Sequence, residues 1–432
     1  MTKYVRLPAA LLAAVAAFAG CSRADPATIR VLNYSDMADP AGAEETARVW
    51  DAFGKANPHI ALIREDLYGE SYHNRVEACI QEGVLPDVVF AWPGGRSAPL
   101  HTGSFLKDLS APAARDKLGK WYASAALDGG LQAGGVLGIL PVSLSFTHVF
   151  YANTAVLADA GLSPAKTYDE LKAQAPLLRA KGYETVILGN EDAWVMQRCL
   201  FSLVAGRFGG HGWEGRILSG EARFTGAGFT DALEFIRSLY ADGVIARSTL
   251  RIDYRSVMGS FLEDKAAYLI DSDARIRDLL VLPPERQLDF QLSLFPEIAG
   301  TALNRSASVI PGPGWGISAA VPEGSAEMRA AWRLVRWLSG GENQARLLGS
   351  GGITTPSRAD IDEKALALGP VQKAAAALVR EYGTGTAVID QVFPGEVCAA
   401  LNDGLQELGL GTKTAVDVAG AVQAAFDAWK AR

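Results

Sequence analysis

The sequence predicts an α/β fold with mainly parallel sheets. Short β-rich runs at 28–34, 60–64, 87–91, 147–151, 185–188, 267–270, 290–295 and 314–319 alternate with amphipathic helical patterns. Several of these runs are apolar almost throughout, as expected of strands covered on both faces. With 49% hydrophobic and 21% charged residues over 432 positions, the composition is globular and the chain is long enough for two or three domains or two large lobes. No tandem repeat or low-complexity segment interrupts the alternation.

The first element lies outside the fold. Lys3 and Arg6 precede an apolar run from Leu7 to Phe18, the pattern of a secretory signal. The run is short of the about 20 apolar residues a membrane-spanning helix needs. It ends Phe18-Ala19-Gly20-Cys21, which resembles a bacterial lipobox with Phe in place of the more usual Leu. Residues 1–20 are therefore expected to be removed, Cys21 to be acylated, and 21–26 to act as a tether to the membrane surface. No later stretch is long and apolar enough to span a bilayer.

Helices follow from periodicity and caps. Tyr72, Val76, Cys79 and Ile80 share one face. Thr167-Tyr-Asp-Glu170 is a capping box ahead of Leu171, and Thr414 is an N-cap for a helix over 416–429. Trp50, Trp332 and Trp337 fall in helical patterns and are expected in the core.

Composition also excludes functions. A net charge of −7 argues against a nucleic-acid partner. The four cysteines form no CxxC pair, and the five histidines show no His-x-x-x-His, so no metal or other cofactor is expected. Buried thiols are the expected state of Cys79 and Cys199. There is no Gly-x-Ser-x-Gly elbow, and Gly409-Leu-Gly-Thr-Lys413-Thr lacks phosphate-loop spacing. Asp271-Ser-Asp273 imitates a glycosyltransferase metal motif, but three residues specify little.

Strand ends are where an open α/β sheet binds ligands. Here they carry Asn33-Tyr34-Ser35-Asp36, Ala91-Trp92-Pro93-Gly94-Gly95-Arg96, Gly189-Asn190-Glu191-Asp192-Ala193-Trp194 and Asp271-Ser272-Asp273. Ordinary turns are rich in Gly, Asn and Asp, but tryptophan in a turn exposes a large apolar face.

Six segments carry a family resemblance. They are Leu85-Pro-Asp-Val-Val-Phe90, Gly135-Val-Leu-Gly138-Ile-Leu-Pro141, Phe150-Tyr-Ala-Asn153 with the following helix, Ser163-Pro164-Ala-Lys-Thr167-Tyr-Asp-Glu170-Leu171, Leu239-Tyr-Ala-Asp-Gly243 and Phe261-Leu-Glu-Asp-Lys-Ala-Ala-Tyr-Leu-Ile270. In order and spacing they resemble the extracellular solute-binding proteins of ABC sugar importers, family 1. The resemblance implies a periplasmic-binding-protein fold, two α/β lobes joined by crossing hinge strands with a ligand cleft between them. By segment, the N-lobe would hold 27–142 and 308–358 and the C-lobe 143–307 and 359–432. Crossings would fall near 141–146, 304–312 and 357–361, and the lobes would close on ligand by hinge motion. The implied function is that of a monomeric binding protein, not an enzyme, that captures a mono- or oligosaccharide and delivers it to a membrane permease.

A sugar offers hydroxyls to charged and amide groups and flat C–H patches to aromatic faces. Asp36, Glu70, Trp92 and Arg96 are the N-lobe candidates. Asn190, Asp192, Trp194, Asp271 and Asp273 are those of the C-lobe, with Ser143 and Phe146 at the first crossing. Trp315, among three glycines near the second crossing, would cap the cleft, and Asp390 and Phe393 sit where the family often places a contact. Packing remains the alternative for each tryptophan, and capping of the next helix for Asp271 and Asp273. An extracellular glycoside hydrolase, with two carboxylates about 5–10 Å apart, and an adhesive surface lipoprotein are the rival functions.

Overall fold

The computed structural model describes residues 25–431 apart from 39, 302, 382 and 385–387. The expected signal segment and Cys21 lie outside the described residues.

A five-stranded sheet is built on Ala27–Tyr34, which pairs in parallel with Ile60–Leu67 along its whole length and with Val88–Ala91 on its other side. Gly314–Ile317 then enters antiparallel, between Val88–Ala91 and Ile139–Pro141. Successive residues alternate between the two faces. Ile29, Val31 and Val88 meet Trp50, Phe53 and Leu334 from helices Pro40–Ala56 and Ala326–Leu338. Leu32 and Val89 meet Tyr72, Val76 and Cys79 from Glu70–Glu82. Each such buried side chain stabilises the sheet by about 1.5–3 kcal/mol.

A second sheet runs in the order Glu184–Ile187, Ala266–Asp271, Val149–Asn153, Phe290–Ser293. Its two inner strands are buried at every residue, as their apolar sequences require. The helix over Tyr168–Ala180 begins at the expected capping box: Thr167 Oγ1 accepts from the Glu170 amide at 3.3 Å, and Glu170 reaches back to the Thr167 amide at 3.4 Å. Thr414 makes the same motif with Asp417 ahead of Ala415–Lys430. Cys79, Cys199 and Cys398 are buried free thiols.

Between the two sheets lies a third, in which Ser143–Phe146 is flanked antiparallel by Val309–Pro311 and Thr355–Pro356. Glycine is required beside it. A Cβ on Gly312 would collide with Ser143, and one on Gly314 with the backbone of Leu140 and Pro141. The glycines around Trp315 therefore serve strand packing.

The sheets are mixed, not mainly parallel as the alternation suggested. Gly314–Ile317 and Val149–Asn153 arrive after a passage between sheets, with no crossover helix to set their direction. The run expected at 147–151 accordingly starts later, because Thr147 and His148 belong to the passage. His148 is fully buried there: its Nδ1–H donates to the Cys199 carbonyl at 3.1 Å, and Nε2 accepts from Ser308 Oγ at 2.8 Å. Burial pushes its pKa down to about 3. Among the described residues no helix is long and apolar enough to cross a membrane.

Candidate functional site

Three parallel strands of the five-stranded sheet stop together, at Tyr34, Leu67 and Ala91. Each end delivers an aromatic ring: Tyr34 itself, Tyr68 and Trp92. Tyr34 lies 4.9 Å from Tyr68 and edge-on to Trp92 at 5.0 Å. The first turn of Glu70–Glu82 adds Tyr72, whose hydroxyl donates to the Phe90 carbonyl, and His73, 5.3 Å from Trp92. Burial, with Arg96 nearby, lowers the His73 pKa and favours its neutral form. Trp92 is held by its backbone, its N–H donating to Ser97 Oγ at 3.2 Å and its carbonyl accepting from Nε2 of buried His101 at 2.8 Å. The ring stays half-buried and Tyr68 is 42% exposed, so the cluster presents aromatic faces rather than hiding them. Arg96 pairs with Glu70 and Glu77 at 2.8 Å each on its exposed rim.

The second sheet offers a matching end. Asp271, fully buried at the end of its strand, accepts from Arg275 Nε at 2.9 Å and from the Tyr254 hydroxyl at 3.4 Å. Burial raises its pKa and Arg275 opposes that rise. The Arg275 guanidinium lies 3.8 Å over the Tyr254 ring, and Tyr254 lies 4.9 Å from Trp194. Asp192 fixes this pair by accepting the Tyr254 amide at 2.7 Å. Arg198 and Asp390 form a partly buried ion pair at 2.6 Å, with Arg198 on the π-helical turn Met196–Phe201.

The two ends approach each other where Gly94, two residues beyond Trp92, packs against Gln391 beside Asp390. At the base, Asp273 accepts from Ser145 Oγ at 3.3 Å and Thr354 Oγ1 at 2.6 Å, joining the second sheet to the crossing strands. Burial lifts its pKa to about 6. Rings edged by charged groups in this way suit a polar ligand with apolar faces, stacked on the rings and bonded at its edges.

The family of bacterial extracellular solute-binding proteins is matched over residues 38–345. The chain belongs to that family. Similar solved structures include a chitin oligosaccharide binding protein (TM-score 0.78, 20% identity, covering 94% of this chain and 100% of that one). Another comes from work on xylan utilization by Caldanaerobius polysaccharolyticus (TM-score 0.76, 18% identity, 92% and 99%). A third is the maltose/maltodextrin-binding domain from Bdellovibrio bacteriovorus bound to maltotriose (TM-score 0.69, 18% identity, 94% and 100%). At these identities the likeness establishes the periplasmic-binding-protein fold. A comparison with curated protein sequences finds no match.

In this solute-binding protein the expected residues divide. Glu70, Trp92 and Arg96 gather at the first sheet, and Asp192, Trp194, Asp271 and Asp390 at the second. Asp36 lies just past Tyr34, partly exposed, accepting the Ala38 amide at 3.0 Å. Asp273 belongs to the base of the space. Five others are used in packing. Trp315 is 5% exposed, wedged edge-on between Trp50 at 5.8 Å and Phe90 at 5.2 Å, because its register opposite Phe90 turns it to the helix side. Phe393 packs against Phe224 at 5.1 Å and Trp213 at 5.9 Å, and Phe146 is buried in the crossing strand. Asn190 is fully buried and its Oδ1 accepts the Met196 amide at 3.2 Å. Ser143 lies against Gly312.

Residues not anticipated are Tyr34, Tyr68, His73, Arg198, Tyr254 and Arg275. Tyr34 had a signal, since it stands at the end of an expected strand; the strand expected at 60–64 runs on to Leu67, which is what brings Tyr68 to the cluster. Tyr254 had none, for it comes from a loop brought in by the Asp192 hydrogen bond.

Proposed function

We propose that this solute-binding protein captures a sugar between the two strand-end clusters and passes it to the permease of an ABC importer. The observation that carries the reading is the pairing of two aromatic groups, Tyr34, Tyr68 and Trp92 on one side and Trp194 and Tyr254 on the other, each edged by charged hydrogen-bonding groups. That combination suits a sugar's alternating hydroxyl and C–H surfaces. The ligands named for two of the similar structures, chitin oligosaccharide and maltotriose, support an oligosaccharide. The contacts proposed are Asp36, Glu70, Trp92, Arg96, Asp192, Trp194 and Asp390 from the sequence, with Tyr34, Tyr68 and Tyr254 added. Asp271 acts through Arg275 and Tyr254.

The protein binds without turnover, as a monomer, and its lobes, 27–142 with 308–358 and 143–307 with 359–432, close about the three crossing strands. Ala19-Gly20-Cys21 after an apolar run supports export and a lipid anchor at Cys21. The test is calorimetry and thermal shift against neutral and acidic oligosaccharides of two to five residues. A ligand at 100 times its Kd adds about 2.7 kcal/mol of stability. Release of reducing ends would favour the hydrolase reading, and no response to any sugar would refute the proposal.

A further inference from the structure

His73 stands in the first turn of Glu70–Glu82, inside the ring cluster of the first sheet. Its imidazole lies 5.3 Å from Trp92, 6.2 Å from Tyr34 and edge-on to Tyr72 at 5.8 Å. The residue is half-buried, yet neither ring nitrogen is sealed from solvent, and among the described residues no hydrogen bond engages either of them. The other partly or fully enclosed histidines differ. His101 bonds the Trp92 carbonyl through Nε2, and His148 is bonded at both nitrogens. His59 precedes Ile60–Leu67, at the opposite end of that strand from the cluster, and His211 lies in an exposed turn before Trp213–Ser219. Around His73 the Tyr72 hydroxyl is taken by the Phe90 carbonyl, and Arg96 is held by Glu70 and Glu77. An unengaged imidazole edge therefore stands beside the rings on which a sugar would stack.

A neutral imidazole has one N–H and one bare nitrogen, so it can accept a hydroxyl proton, which an arginine or a protonated histidine cannot. A pyranose stacked on an aromatic face turns C–H groups to the ring and equatorial hydroxyls outward. Burial and the Arg96 charge lower the His73 pKa against the pull of Glu70 and Glu77, which keeps the ring neutral at pH 7. Tyr34 and Tyr72, which also face it, have raised pKa values and carry no charge there, and Tyr68 stands next to Tyr34.

We propose that His73 is a specificity-determining contact of this site: its bare ring nitrogen accepts the proton of one sugar hydroxyl, so the protein selects a saccharide with that hydroxyl free and binds it less well once the ring is protonated. This rests on the sugar-binding reading above. A bound sugar also takes water from the imidazole, which disfavours its charged form further. Affinity is thus full while the ring is neutral and falls as pH drops through its lowered pKa.

The test is isothermal calorimetry at pH 7.5 and pH 4.5 on wild type, His73→Phe and His73→Gln. The probe is the tightest-binding oligosaccharide of the panel above, beginning with chitotriose and maltotriose. Phe keeps a ring without nitrogens, and Gln keeps an acceptor that does not titrate. At pH 7.5, His73→Phe should bind about three- to tenfold more weakly, the size of one hydrogen bond, and His73→Gln should recover part of that loss. Between pH 7.5 and 4.5 wild type should weaken by about threefold or more beyond either variant. One monodeoxy version of the sugar should lose affinity for wild type and lose none for His73→Phe. Melting curves on the same samples establish that each variant is folded. Wild-type affinity in folded His73→Phe overturns the contact, and a loss on acidification equal in wild type and His73→Gln overturns the dependence on the neutral ring. Both results leave the sugar reading standing. If no oligosaccharide of the panel binds wild type, the sugar reading fails and this inference with it.

Discussion

Trp92 and Trp315 carry the sharpest contrast in the molecule, because sequence alone gave both the same role. Trp315 is 5% exposed and wedged between Trp50 and Phe90. Truncating a buried tryptophan to alanine costs about 3–5 kcal/mol of stability. At about 2–4 °C per kcal/mol for domains of 150–250 residues, Trp315→Ala should lower Tm by about 6–20 °C. The same ring makes no contact with the strand-end clusters' open faces, so the folded fraction should bind sugar as wild type does. Trp92 is half-buried and already backed by Tyr34, Tyr72, His73 and Phe90. Its truncation should cost roughly half as much stability as that of a core ring. Affinity should fall by about 1–4 kcal/mol, the range for an aromatic anchor. Differential scanning fluorimetry and calorimetry on the same preparations, with the tightest oligosaccharide of the panel, separate the two losses. The reasoning is refuted if Trp315→Ala melts like wild type yet binds poorly, or if Trp92→Ala keeps full affinity.

The stability profile between pH 4 and 6 should reflect two opposed groups. His148, lowered to about 3 in the fold from 6.5, favours folding above 6.5 and loses that contribution as pH falls. Asp273, raised to about 6 from 3.8, favours folding at low pH and loses its contribution as pH rises through 6, about 3 kcal/mol in all. Asp273→Asn should therefore give urea stabilities that climb more steeply from pH 4 to 6 than wild type, and parallel profiles would sink the assignment. Cys21→Ser should abolish lipid labelling and move the protein from the membrane to the soluble fraction on cell breakage, and unchanged partitioning would exclude the lipobox. Saturating sugar should reduce the radius of gyration in small-angle scattering, whereas an identical profile with binding verified by calorimetry would mean that the lobes do not close.

Much of the fold was legible because apolar runs and caps are local. The strand ends at Tyr34 and Ala91, the helix face of Tyr72, Val76 and Cys79, and the capping box at Thr167 each follow from a few neighbouring residues. Strand direction was not, since Gly314–Ile317 takes its orientation from a passage that no short window contains. In the site, Trp92 and Trp194 could be found as aromatics where turns should be polar. The rotation of a strand residue to one face or the other decided Trp315, and that depends on its register with Phe90. Tyr254 was invisible because a partner distant in sequence, Asp192, sets its position.

An inner position of the five-stranded sheet, the fourth, is filled last. Val88–Ala91 and Ile139–Pro141 are both bonded to Gly314–Ile317, which lies more than 170 residues after the nearer of them in the chain. Until synthesis reaches that strand, Val88–Ala91 has an unpaired edge and Ile139–Pro141 has no partner in the sheet. Contacts of such long sequence separation slow folding, because loop closure must precede the stabilisation it brings. The N-terminal half thus cannot consolidate while the C-terminal half is still being made. For a member of an extracellular family, that delay keeps the first sheet loose until the strand that joins its parts has been made, so the topology acts as a timer.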